Sequence, residues 1–251
     1  MDIAAVIPVR MGSSRFPGKP LTLIMGRTMV EHVYRRVALS KSLNAGTYIA
    51  TPDEEIRRVV EGFGGQVVMT APTHERASDR VAEAAEGLDA DIFVMIQGDE
   101  PLVTPEMIDL SVQPLLKDST IFCTNLVKRI GTQEEFEDRN TIKVVMDEDG
   151  YALYFSREPI PTTHGGDFSK VSAYKQVCII PYPKKFLLEF AKMKPTPLEL
   201  SESIDMLRIL QHGQRVMMVE CTQETHAVDM LRDVAVVEKL MENDPVMARY
   251  T

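Results

Sequence analysis

The residues that could do chemistry begin in a short basic loop near the N-terminus. Arg10, Arg15 and Lys19 lie within ten residues of one another, and glycines and serines, Ser14 among them, lie between them. Glycine and serine let backbone N–H groups approach an anion closely, while guanidinium and ammonium groups supply positive charge for phosphate oxygens. The pattern predicts a polyphosphate-binding loop, and the alternative is a basic, glycine-containing surface turn.

This loop differs from the Walker loop of ATPases and GTPases. Five residues separate Gly12 from Gly18, where the Walker loop has four. Lys19 is followed by Pro20, so that no serine or threonine hydroxyl stands beside the lysine to hold magnesium. An ATPase or GTPase function is therefore not expected.

A second group of candidates are carboxylates that could hold a divalent cation. Asp99 and Glu100 come just after an apolar run, 92–96, that reads as a buried strand. Two adjacent carboxylates repel each other unless a cation lies between them and the phosphates, and Mg²⁺ accepts one or two protein carboxylates together with phosphate oxygens. We predict Asp99 as a metal ligand, with a solvated acidic turn as the alternative. Asp229 is a second ligand if the last helix starts beside the basic loop, and otherwise it is the N-cap of that helix.

Two further charged residues belong to the second half of the chain. Arg157 follows an aromatic strand end and could bind a substrate carboxylate through two N–H groups at once. Glu202 could lie on one helix face with Arg208, where an exposed salt bridge is the commoner outcome. The sequence has neither a Gly-x-Ser-x-Gly motif nor a GxGxxG motif after the first strand. Positioning and charge neutralisation therefore fit these residues better than a side-chain nucleophile does.

These residues need a scaffold that brings distant segments together, and the hydrophobic pattern predicts one. Short apolar runs alternate with helical stretches of ten or more residues through the first half of the chain. That alternation predicts an α/β fold with a mostly parallel sheet flanked by helices. Because ligands bind at the carboxyl ends of such strands, we expect the basic loop and Asp99 to share one substrate.

The pattern changes after residue 140. A hairpin is predicted over 141–146 and 152–155, and a β-rich stretch over 172–182, before one continuous helix over 195–213. We therefore expect one domain of residues 1–251 with an inserted antiparallel, β-rich subdomain at about 140–182. Extra strands of this kind often form dimer contacts, so a homodimer is expected.

Composition and charge exclude several classes of protein. The chain has 251 residues and a formal net charge of −9, which argues against nucleic acid or an anionic membrane as the main partner. The three cysteines are far apart and form neither a disulfide framework nor a CxxC metal site. No apolar run approaches the roughly 18 residues of a membrane span. We expect a cytoplasmic protein.

Several segments together resemble the 3-deoxy-manno-octulosonate (Kdo) cytidylyltransferases, in that family's order and across nearly the whole chain. The matching segments are 7–10, 14–21, 74–83, 97–101, 154–161, 197–208 and 228–229. The resemblance implies a Rossmann-like fold of the nucleotide-diphospho-sugar transferase type. It also implies an Mg²⁺-dependent enzyme that transfers CMP from CTP to the anomeric hydroxyl of an acidic 2-keto-3-deoxy sugar, releasing pyrophosphate, for lipopolysaccharide precursor synthesis.

The resemblance also assigns roles by position. The residues that would hold the CTP phosphates are Arg10, Ser14, Arg15 and Lys19. Those that would lie at the base or sugar side of the nucleotide are Arg80 and Gln97. Those that would bind the metal are Asp99 and Asp229, and those that would face the acidic sugar are Arg157 and Glu202. Of all these, we expect Arg15, Lys19 and Asp99 to carry catalysis.

The chain departs from the family pattern at six positions. On the nucleotide side and near the last helix these are Pro52, Ala77 and Met230, and on the sugar side they are Gln176, Cys178 and Met206. The CTP half is therefore more firmly implied than the acceptor. Kdo, 8-amino-Kdo and a sialic-like nonulosonate stay open as acceptors. A non-catalytic nucleotide-binding module is the alternative from another class, and the retention of Asp99 and Asp229 argues against it.

Overall fold

The computed structural model of the protein describes residues 1–12 and 16–250. The strands in these ranges are β1 (Ile3–Pro8), β2 (Leu23–Ile24), β3 (Arg27–Thr28), β4 (Thr47–Thr51), β5 (Gln66–Met69), β6 (Ile92–Ile96), β7 (Cys123–Arg129), β8 (Lys143–Met146), β9 (Ala152–Ser156), β10 (Tyr174–Val177), β11 (Ile179–Pro183) and β12 (Val216–Glu220). The helices are α1 (Met29–Val37), α2 (Glu54–Gly62), α3 (Ala77–Glu86), α4 (Pro105–Lys117), α5 (Gln133–Glu137), α6 (Lys184–Lys192), α7 (Pro197–Glu202), α8 (Met206–Gln211) and α9 (Leu231–Met241). None of these helices has the length and apolar character that crossing a bilayer requires.

The first sheet carries the predicted parallel strands in the order β11-β6-β1-β4-β5. β1 pairs in parallel with both β4 and β6, and β4 pairs in parallel with β5, while β11 is antiparallel to β6. Every residue of β1 and β6 is buried, as expected for central strands that helices cover on both faces. The predicted mostly parallel α/β sheet flanked by helices is confirmed.

Successive residues of β1 face two different hydrophobic cores. Ala4 and Val6 lie in one core with Val81 of α3, and Ala5 and Ile7 lie in the other. This alternation follows from the two-residue period of a strand, which sends neighbouring side chains to opposite faces. The carboxyl end of β1 is thereby fixed from both sides, and the basic loop begins there.

The second sheet is mostly antiparallel and has the order β12-β7-β10-β8-β9. The predicted hairpin is present as β8 and β9. The predicted β-rich stretch 172–182 divides at Cys178, since β10 pairs with β7 and β8 in the second sheet while β11 pairs with β6 in the first. The limits of the subdomain at about 140–182 stay a prediction, and strands from that range lie in both sheets.

The predicted single helix over 195–213 is wrong, because two helices, α7 and α8, replace it. The break lies at Ser203, whose φ of 55° is in the left-handed region that ends many helices. Two cations bind this residue: Arg76 donates to its hydroxyl at 3.0 Å, and Arg157 donates to its carbonyl at 3.3 Å. These partners are distant in sequence, so the local helical pattern does not reveal the break.

Candidate active site

Two adjoining cavities lie beside the carboxyl ends of β1 and β6. Cavity A, of about 460 Å³, is lined by Arg10, Lys19, Arg80 and the start of α3. Cavity B, of about 590 Å³, is lined by residues of the second sheet and by the segment that leads into α9. The residues common to both linings are Gln97, Asp99, Ile142, Gln176 and Cys178. Ligands in the two cavities would therefore meet at the end of β6.

The basic loop meets the end of β6 directly. Lys19 Nζ donates to Asp99 Oδ2 at 2.6 Å and to the Val228 carbonyl at 3.0 Å. The Val228 N–H in turn donates to the Asp99 carbonyl at 2.9 Å. Gly18 makes the turn before Lys19 with a φ of 72°, a conformation that glycine adopts without steric cost. Segments 80 and 209 residues away from Lys19 in sequence thus converge on its ammonium group.

Asp53 anchors the other end of the loop. Asp53 is the N-cap residue of α2, but its side chain makes no capping bond. Its Oδ2 accepts instead from the Met11 N–H at 2.7 Å. The carboxylate that follows β4 therefore holds the chain where it leaves β1. Ser14 and Arg15 lie outside the described residues.

Asp229 is not the N-cap of the last helix, so that alternative is wrong. The N-cap position of α9 is Met230. Asp233 accepts at Oδ2 from the N–H groups of both Asp229, at 2.8 Å, and Met230, at 2.7 Å. Because Asp233 satisfies the backbone at this helix start, capping does not require the Asp229 carboxylate, and Asp229 lines cavity B together with Asp99.

Glu100 is the carboxyl group at this point whose ionisation is opposed most clearly. Burial raises the pKa of Glu100 to about 8, and the neighbouring Asp99 and Asp229 carboxylates add to that rise, against the ammonium groups of Lys175 and Lys19. Such a concentration of negative charge is a suitable environment for a divalent cation. In residues 1–12 and 16–250, no group of three or more His, Cys, Asp or Glu side chains could hold a metal ion by itself. Mg²⁺ needs only one or two protein carboxylates when phosphates and water complete its shell, so Asp99 and Asp229 fit it.

The predicted base-side residues lie in cavity A. Arg80 is buried, and its Nη1 donates to Thr70 Oγ1 at 2.6 Å, which fixes the guanidinium in the cavity wall. Burial, together with the positive charge of Arg10, lowers the pKa of Arg80. Arg10 is exposed at the mouth, and Gln97 lies at the junction with cavity B. Cavity A therefore combines three arginines, Arg10, Arg76 and Arg80, with Lys19, and this positive lining suits a nucleoside triphosphate.

Arg157 and Glu202 lie together, but neither is among the described residues that line cavity A or B. Glu202 accepts from the Ser156 hydroxyl and from the Arg157 N–H, both at 2.8 Å. The Arg157 guanidinium donates to three main-chain carbonyls, those of Arg139, Glu202 and Ser203. Their predicted contact with an acidic sugar stays a prediction.

Comparison with known proteins identifies the family. A family model described as cytidylyltransferase matches residues 4–242. This chain belongs to the cytidylyltransferase family. It is 45% identical over 250 residues to a 3-deoxy-manno-octulosonate cytidylyltransferase of Geobacter metallireducens, with 96% of this chain and 98% of the relative covered. It is 38% identical to one of Chlorobium phaeobacteroides, with 98% and 100% covered. The resemblance predicted from the motifs is confirmed, and the chain is an enzyme, a nucleotidyltransferase.

A solved structure agrees with this result. A structure described as CMP:2-keto-3-deoxy-manno-octonic acid synthetase complexed with CTP has a TM-score of 0.89 and 33% identity, covering 96% of this chain and 98% of that one. A putative glucose-1-phosphate thymidylyltransferase from Bacillus anthracis shares the fold alone, with a TM-score of 0.66 and 14% identity. The predicted nucleotide-diphospho-sugar transferase type of fold is confirmed.

Arg208 of this cytidylyltransferase has a different partner from the one considered in the sequence. Its Nε and Nη2 donate to the two oxygens of Glu199 at 2.8 and 2.6 Å, and both side chains are buried. The alternative of an exposed Glu202–Arg208 salt bridge is wrong, because the helix breaks between the two residues and turns Arg208 inward.

Burial raises the pKa of Asp205, which lines cavity A and accepts from the Ser78 hydroxyl at 2.6 Å. Nothing in the local pattern marks Asp205 beyond its place in the matching segment 197–208.

Gln176 is a site residue that was noted only as a departure from the family pattern. Its Nε2 donates to Oδ1 of the buried Asn125 at 2.6 Å. Asn125 in turn donates through Nδ2 to the carbonyls of Val177, at 2.7 Å, and Leu126, at 3.0 Å. The two buried carbonyls require a donor, so the NH₂ group of Asn125 must point at them and its oxygen at Gln176. The Gln176 side chain must therefore donate to that oxygen through its own NH₂ group. This leaves the orientation of the Gln176 amide fixed at the junction of the two cavities.

Proposed function

We propose that this enzyme transfers CMP from CTP to the anomeric hydroxyl of Kdo and releases pyrophosphate, for lipopolysaccharide precursor synthesis. The observation that carries the proposal is the convergence of Lys19, Asp99 and the segment before Asp229 where the two cavities join. CTP occupies cavity A and the acidic sugar occupies cavity B, so that the α-phosphate and the attacking hydroxyl meet between them. Near full-length similarity to enzymes named for Kdo supports this acceptor over a nonulosonate.

The main barrier is electrostatic. An anionic sugar must approach a triphosphate, and two like unit charges 4 Å apart repel by about 4 kcal/mol at an effective dielectric constant of 20. We assign Arg10, Ser14, Arg15 and Lys19 to the phosphate oxygens. An ammonium group has three N–H donors, and Lys19 uses two of them on Asp99 and Val228, so we assign its third to a phosphate oxygen.

We assign Mg²⁺ to Asp99 and Asp229. When bound, it supplies charge neutralisation at the phosphates and a lower pKa for the attacking hydroxyl. The protein's own part is to hold Asp99 in place, through the Lys19 ammonium and through the Val228 N–H on its carbonyl. Gln97 and Arg80 line the nucleotide cavity, and their proposed contacts are with the base or ribose.

On the sugar side we propose that Arg157 and Glu202 act beside the acidic acceptor. Support comes from the Arg157 guanidinium, which donates to the Arg139 carbonyl at 3.0 Å, between Asp138 and Asn140 of the cavity B lining. For direct contact, the Arg157 guanidinium has to exchange a carbonyl partner for the carboxylate of the sugar.

We also propose that the enzyme is a homodimer. β9 is an edge strand of the second sheet, and Leu153 on it is 61% exposed. Light scattering after size exclusion should give twice the chain mass of 28.2 kDa. A mass equal to one chain at micromolar concentration would exclude the dimer.

The decisive experiment for the proposed function is pyrophosphate release from CTP with Mg²⁺, with Kdo, 8-amino-Kdo and sialic acid as separate acceptors. We expect Kdo to give the highest kcat/KM. Release with none of the three acceptors would remove the proposed reaction, and a preference for sialic acid would replace the acceptor. Asp99→Ala in the same assay should lose turnover, and unchanged turnover would remove the metal assignment.

A further inference from the structure

Lys143 is the buried cation whose surroundings differ most from those of an ordinary lysine. Its side chain is fully buried on β8, and it lines neither cavity. Its Nζ donates to three main-chain carbonyls: those of Asp138 at 2.8 Å, Thr141 at 2.6 Å and Arg157 at 2.6 Å. Three N–H donors thus meet three acceptors, and burial is the main cause that lowers the pKa of this group.

Two of these carbonyls, those of Asp138 and Thr141, belong to residues that line cavity B. Asp138, Asn140 and Thr141 line that cavity, and Ile142 lines both cavities. A second cation also binds segment 138–142: the Arg157 guanidinium donates to the Arg139 carbonyl at 3.0 Å. Carbonyl oxygens that point at one another repel, so without a cation between them they would rotate towards water. The shape of the segment 138–142 therefore depends on the ammonium group.

We propose that Lys143 is a positioning residue for the acceptor sugar: its ammonium group fixes segment 138–142 and thereby the acceptor side of the cleft. The proposal rests on the assignment of the sugar to cavity B. Lys143 itself touches no substrate. Hydrogen bonds from a charged donor are about twice as strong as neutral ones, so three of them define one backbone arrangement. The residues assigned to CTP make their hydrogen bonds outside segment 138–142: Lys19 bonds Asp99, Arg80 bonds Thr70, and the Gln97 N–H donates to the Cys178 carbonyl.

The test measures KM for Kdo and KM for CTP separately. In Lys143→Met we expect KM for Kdo to rise at least tenfold while KM for CTP stays within twofold. Lys184→Met is the matched control, because Lys184 also donates to a main-chain carbonyl, that of Leu88 at 2.7 Å, but lines neither cavity. The control should leave both KM values unchanged.

A second variant covers the case in which Lys143→Met does not fold. Lys143→Gln keeps an N–H donor for part of the carbonyl set and should raise KM for Kdo less than Lys143→Met does, again without a change for CTP. A fall in thermal stability with both KM values unchanged would overturn the proposal, as would an equal rise for both substrates. If the wild type turns over no sugar acid at all, the proposed function fails instead, and the two failures are thereby distinguished.

Discussion

The cations of cavity A and those beside the second sheet have different partners. Lys19 binds a carboxylate at the junction of two open cavities, and Arg10 is exposed at the mouth of one of them. Lys143 and Arg157 donate to main-chain carbonyls, and Arg208 donates to a buried carboxylate. The same residue types therefore have a proposed role in recognition on one side and a structural role on the other. What separates Lys19 from Lys143 is the number of ammonium N–H donors that the described residues already satisfy, two for Lys19 and three for Lys143.

The largest expected effect is on the recognition side. Lys19→Ala should lower kcat by about 10³-fold, because about 4 kcal/mol of charge repulsion is no longer offset. Its melting temperature should change by less than about 4 °C, since a partly exposed ion pair contributes at most about 1 kcal/mol. Pyrophosphate release and thermal unfolding measure the two quantities. Lys41→Ala, at an exposed position, is the control. A Lys19→Ala variant that loses stability but keeps its kcat would contradict the prediction.

Asp99→Asn tests the partner of that lysine. We expect a loss of about 10²- to 10³-fold in kcat, typical of removing one preorganised electrostatic group. The Mg²⁺ concentration for half-maximal rate should rise as well, because one assigned ligand is weakened. Asp149→Asn, in an exposed hairpin turn, should change neither value. An unaltered Mg²⁺ dependence in Asp99→Asn would mean that the carboxylate acts only on Lys19.

Arg208→Leu should show the opposite profile, with a loss of stability rather than of catalysis. Leaving Glu199 buried without its partner costs about 3 kcal/mol, which lowers the melting temperature by roughly 10 °C in a chain of this size. The double variant Glu199→Leu/Arg208→Leu should regain much of that loss, since no unpaired charge remains buried. KM values at 25 °C should change little. If the double variant is less stable than the single one, the pair is not the cause.

The smallest expected effect concerns Gln176, at the junction of cavities A and B. Gln176→Ala should raise KM for Kdo about fivefold, the equivalent of one neutral hydrogen bond of about 1 kcal/mol. Asn125→Ala should act in the same direction, because it frees the orientation of the Gln176 amide. Steady-state titration of each substrate distinguishes the two sides. An equal rise in KM for CTP would place Gln176 with the nucleotide instead.

The meeting of the basic loop with the end of β6 could be predicted from the sequence, because its signals are local. Strands β1 and β6 are continuous apolar runs, and the rule that parallel strands end at one edge brings Lys19 and Asp99 together. The place of Asp229 follows from the contact of Lys19 with the neighbouring Val228 carbonyl, 209 residues away, which only the similarity to a family could suggest. The burial of Lys143 could not be predicted, because a lysine in a strand usually faces solvent. Only the three converging carbonyls explain it.

The second half of the chain was harder, because its elements depend on partners far away. The apolar stretch around Cys178 reads as one strand, and nothing local marks the point where it changes sheets. The helix break at Ser203 depends on Arg76 and Arg157, which lie more than 40 residues earlier. In both places tertiary contacts override the local pattern.

The chain crosses from the second sheet to the first at Cys178, and this crossing links the two sheets mechanically. β10 hydrogen-bonds within one sheet and β11 within the other, with only one residue between them. Pulling either sheet apart strains the other, so neither half has a hinge at this point. Heat should consequently melt the whole protein in one step, with calorimetric and van't Hoff enthalpies in agreement.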